Sequence, residues 1–162
     1  MAENTKSLSM IVTKGTLDWA YPPFILATTA AGLDMKVTMF FTFYGLGLLK
    51  KKLDLKITTL GNAAMEMPIM GMHIAMPNLV GALPGMDAMA TTMMKNLIKK
   101  KGVASIEELR EAAIESGVKM VGCQMTMDLF ELSRDDMLPG LDYVGAASYL
   151  EEASNSTMNL FI

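Results

Sequence analysis

Short apolar runs alternate with helical segments along this chain of 162 residues. Runs of this kind, partly β-branched and bounded by turn residues, predict buried strands. The predicted strands are residues 8–13, 36–41, 118–122, 143–146 and 158–162. Because strands that alternate with helices favour parallel β-α-β units, the sequence predicts an α/β fold in three layers, α/β/α, with the sheet covered on both faces. A single domain over residues 1–162 is expected for a chain of this length.

Proline and glycine set the expected limits of the first two helices. Pro22 and Pro23 are expected in the first turn of a helix that runs to about Ala31, where the missing proline N–H has no intrahelical partner to lose. Gly32 would end this helix in the left-handed conformation. A short second helix is expected over residues 45–52, directly after the second strand.

Capping residues set the expected starts of three later helices. Asp87 is expected to cap a helix whose last turn is rich in lysine, which complements the helix dipole. Ser105 and Glu108 have the spacing of a capping box, and so do Ser148 and Glu151. Each pair therefore predicts the first turn of a helix.

Composition and charge exclude several classes of protein. The formal net charge is −3 and the lysine runs 50–52 and 99–101 are short, so nucleic acid is not an expected partner. The single cysteine can form neither an internal disulfide nor a zinc cluster. The N-terminus lacks the apolar core of a signal peptide, which favours a cytoplasmic location.

The apolar segments are poorly suited to span a membrane. Residues 37–49 fall short of the roughly 20 residues needed to cross a bilayer, and three lysines follow them. The longer segment 65–94 contains Pro68, Pro77 and Pro84, which would break a spanning helix. Neither a membrane span nor contact with a membrane surface is therefore expected.

The lone cysteine, Cys123, lies where the third predicted strand gives way to a helix expected over about residues 124–132. The first amides of a helix stabilise a thiolate, so this position is suited to lowering the pKa of a thiol. The alternative is that Cys123 is a small apolar filler of the core, which is a common role for a free cysteine.

The chemistry open to one thiol is limited. His73 is the only histidine, and no Asn or Asp is placed in the sequence to orient it for Cys-His hydrolysis. Thiol-disulfide exchange of the thioredoxin kind needs a second cysteine. Persulfide transfer needs one sulfur only, because the thiolate takes a sulfane sulfur from a donor and yields it to the next thiol. Cys123 is therefore the candidate catalytic residue.

The candidate binding residues follow from the expected parallel sheet. Loops at the carboxyl ends of parallel strands share one edge, where ligands usually bind. Residues 13–16, 42–44 and 146–148 fall at such ends, as does Cys123. Lys14, Thr42, Tyr44 and Gln124 are the expected neighbours of the sulfur-bearing group.

A segment rich in methionine and proline, at about residues 62–86, is expected to form a lid or an oligomer contact, and self-association through residues 65–83 is predicted. Its thioethers and one imidazole also suit Cu(I), which leaves a copper chaperone as an alternative. The members of this candidate cluster are Met65, Met67, Met70, Met72, His73 and Met76. A further alternative is a ligand-binding or assembly module in which Cys123 is inert. No metal site is predicted.

Three stretches of the sequence resemble the DsrE/DsrF-like family, in its stand-alone branch linked to sulfur oxidation. They are GTLDWAYPPFILATTAAGLDMKVTMFFTFYGLGLL, MPNLVGALPGMDAMATTMM and GVKMVGCQMTMDLFEL, and the similarity extends over residues 8–162. The resemblance implies a single DsrE-like domain with a five-stranded parallel sheet in the order 4-3-2-1-5. It also implies homo-oligomers, trimers or hexamers.

The same resemblance implies a sulfur carrier or sulfurtransferase that needs no cofactor. The residue that matches the family cysteine, Cys123, would hold sulfur as a persulfide or a thiosulfonate. Its implied partners are rhodanese-type donors, TusA-like carriers and a sulfur-oxidising complex. Some relatives have an additional cysteine that this chain lacks, which puts any mechanism that uses two thiols of one subunit in doubt.

Overall fold

The computed structural model describes residues 6–62, 64–69, 72–75 and 77–162. The strands are β1 (Ser7–Val12), β2 (Lys36–Phe41), β3 (Glu66–Ile69), β4 (Met72–Ala75), β5 (Lys119–Cys123), β6 (Asp142–Val144) and β7 (Met158–Phe161). The α-helices are α1 (Leu17–Gly32), α2 (Asn78–Gly81), α3 (Met86–Lys100), α4 (Ile106–Glu115), α5 (Gln124–Leu129) and α6 (Ala146–Ser154). Two 3-10 helices are η1 (Phe43–Leu49) and η2 (Arg134–Asp136). Within the described residues, no helix combines the length and apolar character needed to cross a membrane.

Five of the strands form one parallel sheet in the order β6-β5-β2-β1-β7. Numbered among themselves, these strands have the order 4-3-2-1-5, so the predicted α/β fold and its strand order are confirmed. The register places Phe40 of β2 beside Val121 of β5, and Phe41 beside Gly122. Cys123 therefore lies at the carboxyl edge of the sheet, beside the end of β2.

Helices cover both faces of the sheet because apolar side chains of β2 point alternately to the two sides. Phe41 meets Phe24 of α1, with 6.1 Å between the ring centroids. Phe40, on the opposite face, stacks on Tyr149 of α6 at 4.5 Å. The short helix α6 is also held by polar contacts, since the Tyr149 hydroxyl accepts a hydrogen bond of 2.8 Å from Ser9. The three-layer arrangement is confirmed.

The first helix differs from the prediction at its start. Leu17 is buried and begins α1, so Pro22 and Pro23 lie inside the helix and not in its first turn. The N–H of Leu17 donates to the carbonyl of Lys56 at 2.9 Å. Burial and this hydrogen bond extend the helix towards its N-terminus, and together they override the positional preference of proline.

The end of α1 also differs from the prediction. Gly32 is still helical, and the left-handed residue is Asp34, with φ 58°. The N–H of Met35 returns to the carbonyl of Ala30 at 3.1 Å, which closes a Schellman motif around Asp34. Aspartate tolerates this conformation better than most residues because its short polar side chain can bond locally.

Two further predicted helix caps are wrong, and one predicted helix differs in type and range. Asp87 is not the cap of α3, because Gly85 holds that position with φ 85° and Asp87 lies in the first turn, paired with Lys56 at 2.7 Å. Ser148 lies inside α6, whose N-cap is Gly145, so the predicted capping box there is wrong. The helix expected over residues 45–52 is the 3-10 helix η1. Helix α4 begins at Ile106, directly after Ser105, as expected.

The chain divides into two compact units. One consists of Met1–Gly15, Trp19–Asp54 and Ile106–Ile162, and contains the whole five-stranded sheet. The other consists of Thr16–Asp18 and Leu55–Ser105, and contains the antiparallel hairpin β3-β4 with α2 and α3. The expected lid or interface at about residues 62–86 falls in this second unit. Its role there, and self-association through it, stay predictions.

Candidate functional site

Cys123 is both the last residue of β5 and the N-cap of α5. The apolar run before it is buried on both faces of the sheet, and the backbone of Cys123 itself is extended, with φ −75° and ψ 115°. Gly122 comes just before it, and a Cβ there would lie 2.8 Å from the Tyr143 ring, so a larger residue would displace that ring. The strand therefore delivers the thiol to the first turn of a helix, as the sequence predicts.

Several polar groups surround the sulfur of Cys123. Burial, the largest influence, raises the pKa of this thiol, but the hydroxyl and N–H of Thr126, the hydroxyl of Thr42 and the N–H of Met125 together outweigh it. The net pKa lies below the ordinary value for a cysteine. Within α5, all of which is described, no amide closes a short capping hydrogen bond to the sulfur. The hydroxyl and amide donors thus act together to favour the ionised form.

The two threonine hydroxyls form one network beside the sulfur. The Oγ1 atoms of Thr42 and Thr126 lie 3.1 Å apart, within hydrogen-bond distance. The N–H of Phe43 donates to Oγ1 of Thr126 at 3.2 Å. Thr126 has no exposed surface, whereas Thr42 is partly exposed. The loop after β2 and the first turn of α5 are therefore joined at the thiol.

The same thiol is in contact with the core. Cys123 is only 4% exposed and belongs to an apolar cluster with Phe40, Val121, Tyr149 and Ala153. A packed, inert cysteine would be surrounded by such side chains alone. Here apolar groups of the sheet and of α6 coexist with hydroxyl and amide donors on α5 and on the loop after β2, and the donors are the feature that a core filler does not require.

Three aromatic side chains form an exposed surface next to this network, which we call the aromatic surface. It consists of Phe43, Tyr44 and Phe130, which are 45%, 73% and 37% exposed. The Phe130 ring stacks on Tyr44 at 5.8 Å and meets Phe43 edge-on at 6.1 Å. Phe43 adopts φ 49°, an unfavourable conformation for a bulky residue, and its N–H is the group bound to Thr126. Two hydrogen bonds thus connect the aromatic surface to Thr126: the N–H of Phe43 donates to its Oγ1 at 3.2 Å, and the N–H of Phe130 donates to its carbonyl at 3.1 Å.

The loop that carries Thr42 and Phe43 is held on the end of β1 by backbone contacts. The N–H of Thr42 donates to the carbonyl of Val12 at 3.0 Å, and the N–H of Gly45 donates to that of Thr13 at 2.9 Å. A Cβ on Gly45 would overlap the carbonyl of Val12. Glycine at this position therefore allows the two loops to approach closely.

The candidate residues have different surroundings in the structure. Thr42 lies beside the sulfur, and Tyr44 belongs to the aromatic surface. Gln124 follows Cys123, but its amide donates to Asp128 at 2.7 Å and accepts from Arg134 at 2.8 Å. Lys14 follows β1, and its ammonium lies 3.1 Å from the centroid of the Trp19 ring. Of the four candidate binding residues, Thr42 is the one brought to the sulfur.

Sequence reasoning missed Thr126 and Phe130, and it placed Phe43 only within the range 42–44 at the carboxyl edge of the sheet. A signal existed for Thr126, because a hydroxyl residue three positions after a helix-capping cysteine lies in the first turn, near the sulfur. The contacts of the other two gave no local signal. Phe43 reaches Thr126 through the backbone of a loop distant in sequence, and Phe130 meets that loop only in the folded chain.

The structure describes only part of the candidate Cu(I) cluster. Among the described residues, no group of three or more His, Cys, Asp or Glu side chains is placed to hold a metal ion. Met70 and Met76 of the candidate Cu(I) cluster lie outside the described residues. Met65 is buried against Ile57 and Ala90. The copper alternative stays a prediction.

Comparison with known proteins identifies the family. Residues 4–161 match the model of the DsrE/DsrF/DrsH-like family, and the chain belongs to this family. It is 57% identical to the sulfur carrier protein DsrE2 of Allochromatium vinosum, over 97% of this chain and 98% of that protein. It is also 36% identical to an uncharacterised protein of Bacillus subtilis, YrkE, with both chains fully covered. A solved structure of a protein of unknown function from Methanobacterium thermoautotrophicum aligns over 96% of this chain and 98% of its own, with a TM-score of 0.47 and 10% identity.

Proposed function

We propose that this protein is a cytoplasmic sulfur carrier in which Cys123 accepts a sulfane sulfur as a persulfide and passes it to an acceptor thiol. The observation that carries the proposal is the set of donors around the only thiol, which favours its ionised form. The identity of 57% to a protein named as a sulfur carrier supports the same function.

The proposed transfer is an exchange of sulfur between thiols. The thiolate of Cys123 attacks the outer sulfur of a donor persulfide, and a new S–S bond forms as the donor S–S bond breaks. The electron pair of the broken bond leaves on the donor thiolate. An acceptor thiolate then attacks the outer sulfur on Cys123 and regenerates the Cys123 thiolate. Neither step requires a cofactor or an external oxidant.

Burial of Cys123 is compatible with this chemistry because the transferred atom is the outer one. A persulfide extends the side chain by one S–S bond of about 2 Å. The sulfur that the acceptor attacks would therefore lie beyond the Sγ atom of Cys123, a residue that is 4% exposed. The donors around Sγ would stabilise the thiolate of the carrier before it is loaded, which is the form that attacks the donor.

Sulfur loading on Cys123 tests the proposed function. The wild-type protein and Cys123→Ser are incubated with a small sulfane-sulfur donor, and their intact masses are measured before and after treatment with a reducing thiol. We expect the wild type to gain one sulfur atom, to lose it on reduction, and the variant to gain none, because serine has no sulfur to form the S–S bond.

Other mass changes would contradict the proposal, favour the alternative function or identify a different loaded form. Equal gains by the wild type and the variant would place the sulfur on other residues and contradict the proposal. No gain by either protein would favour the alternative of an inert cysteine in a binding or assembly module. A mass gain equal to one sulfur atom plus one sulfonate group would identify a thiosulfonate as the loaded form.

The proposed partners are proteins that bring their own sulfur-bearing cysteine: rhodanese-type donors, TusA-like acceptors and a sulfur-oxidising complex. We propose that they dock on the aromatic surface. Exposed aromatic side chains are frequent anchors of protein interfaces, and Phe43 is linked to Thr126 beside the thiol. A protein held there would bring its cysteine to the edge of the sheet where Cys123 lies.

Tyr44→Ala tests this docking surface. We expect the variant to accept sulfur from a persulfidated rhodanese-type protein about tenfold more slowly, which corresponds to about 1.4 kcal/mol of lost contact. Loading from a small sulfane donor should keep the wild-type rate, because it requires no docking. Intact-mass measurements on samples quenched at successive times, with each donor, give the two rates.

Leu33→Ala is the matched control for this experiment. Leu33 is 70% exposed but lies in the turn after α1. Its loss should leave both rates unchanged. If Tyr44→Ala and Leu33→Ala behave alike with the protein donor, docking on the aromatic surface is wrong.

A further inference from the structure

We propose that β7 is a contact surface between two copies of this chain, which pair antiparallel about a two-fold axis at Leu160. β7 is an edge strand of the sheet, and β1 is its only neighbouring strand in the described part of the chain. The free side of an edge strand presents N–H and C=O groups that can bond with another strand. The occupant that completes this side is therefore a strand, and β7 of a second copy fits it.

The backbone of β7 offers a defined set of groups on its free side. In a parallel pair, alternate residues of an edge strand bond with the neighbouring strand, and the residues between them point outward. The N–H of Ile162 donates to the carbonyl of Ile11 at 2.9 Å, and its carbonyl accepts from the N–H of Thr13 at 2.8 Å. Because Phe161 and Asn159 lie one and three positions before this inward-facing residue, their N–H and C=O groups point to the free side.

Two antiparallel copies of β7 satisfy these outward groups at once. With the axis at Leu160, Asn159 of each copy lies opposite Phe161 of the other copy. Each such pair exchanges two N–H···O=C bonds, as hydrogen-bonded pairs of antiparallel strands do. The junction joins two five-stranded sheets and is closed, because the same surface of each copy is used and no free side of β7 is left.

The side chains of β7 suit contact with a second copy. The strand has no charged residue and no proline, and Met158 and Phe161 are 50% and 73% exposed. Leu160 would lie opposite its own counterpart, at a non-hydrogen-bonded position where side chains come closest. On the same face, Met158 would lie opposite Ile162 of the second copy. Pairing therefore brings apolar side chains together and places no like charges opposite each other.

The opposite edge of the same sheet lacks these properties. β6 has three residues and begins with the exposed Asp142. The guanidinium of Arg134 lies 4.6 Å from the centroid of the Tyr143 ring of this strand. Short edge strands with charged side chains resist edge-to-edge pairing. Of the two edges, β7 is therefore the one suited to self-association.

The pairing leaves the two thiol sites apart from each other. In the sheet, β1 and β2 separate β7 from β5, which carries Cys123. The antiparallel junction reverses the direction of the strands, so the carboxyl edges of the two sheets face opposite ways. Each copy can then receive and deliver sulfur independently of the other. This consequence rests on the proposed function, whereas the pairing itself does not.

The comparison of Phe161→Pro with Phe161→Ala tests the backbone pairing. Both variants lack the ring, and only proline also lacks the N–H, which points outward and makes no bond with β1. Proline is tolerated in edge strands when its nitrogen faces away from the sheet. We expect the proline variant to have a dissociation constant about thirtyfold higher than the alanine variant, because two hydrogen bonds of the junction are lost. Sedimentation equilibrium measures both constants, and urea denaturation checks that both variants are folded.

Disulfide cross-linking tests the position of the axis. Leu160→Cys, in a Cys123→Ser background, would place two thiols opposite each other with about 4.5 Å between their Cα atoms, which a disulfide can bridge. Phe161→Cys in the same background is the control, because its counterpart lies diagonally, at about 7–8 Å. With oxidised glutathione as the oxidant, we expect cross-linked dimers to form at least about tenfold faster at position 160 than at position 161.

Three results would overturn the inference. They are a wild type that stays monomeric at micromolar concentration, equal dissociation constants for Phe161→Pro and Phe161→Ala, and equal cross-linking at positions 160 and 161. If the proline variant does not fold, the cross-linking comparison decides. None of these measurements uses a sulfur donor. Pairing through β7 by a protein that never gains sulfur would support this inference and contradict the carrier function, and a monomer that gains sulfur would do the reverse.

Discussion

Gly45→Ala is expected to lower the free energy of unfolding by about 3 kcal/mol, the upper end of the usual cost of overpacking. The added Cβ would overlap the Val12 carbonyl, and main chain cannot rotate away as a side chain can. The loop must therefore move, and its hydrogen bond from the N–H of Gly45 to the carbonyl of Thr13 would be strained or lost. Urea denaturation of the variant and the wild type measures the change.

Gly47→Ala is the matched control, because it lies in the same 3-10 helix and its added Cβ meets no atom within 4 Å. Its stability should stay within about 1 kcal/mol of the wild type. Equal denaturation midpoints for the two variants would show that the close approach of the loops at Gly45 is not tight. The comparison tests the part of the fold that carries Thr42 and Phe43 to the thiol.

Gly45→Ala should affect the chemistry of the site as well as the stability of the fold. The loop after β2 supplies the Thr42 hydroxyl and the N–H of Phe43, and both belong to the network around Cys123. A displaced loop would remove these groups from the sulfur while the strand that carries Cys123 remained in place. Gly45→Ala should therefore also raise the pKa of the thiol towards its ordinary value.

The position of Cys123 could be predicted from the sequence because it depends on local patterns. An apolar run followed by a helical segment places a residue at a strand end whatever the rest of the chain does. The strand order came from the family resemblance and was confirmed. These two predictions together placed Thr42 on the same edge as Cys123.

The polar surroundings of the sulfur could not be predicted in the same way. The role of Thr126 depends on a backbone N–H from Phe43, which is 83 residues away in the sequence and has an unusual conformation. The errors at helix ends have a similar origin. Leu17 begins α1 because it is buried, and Gly85 caps α3 although Asp87 has the better side chain for that role.

Burial and the hydrogen-bond donors shift the pKa of Cys123 in opposite directions. The proposed function requires that the donors have the larger effect. Burial in an apolar cluster with Phe40 and Val121 would by itself raise the pKa of the Cys123 thiol. The hydroxyl and amide donors lower the pKa despite this contact. A thiol with these surroundings should be ionised at a lower pH than the same thiol in the unfolded chain, and still be reachable from the edge of the sheet.

The most direct test is the rate at which a small alkylating reagent labels Cys123 in the folded wild-type protein, compared with the urea-unfolded chain over a range of pH. An ionised, reachable thiol predicts labelling without unfolding, at a rate proportional to reagent concentration and with an inflection at lower pH than in the unfolded chain. Labelling that occurs only as fast as the protein unfolds, independent of reagent concentration, would contradict sulfur carriage by Cys123.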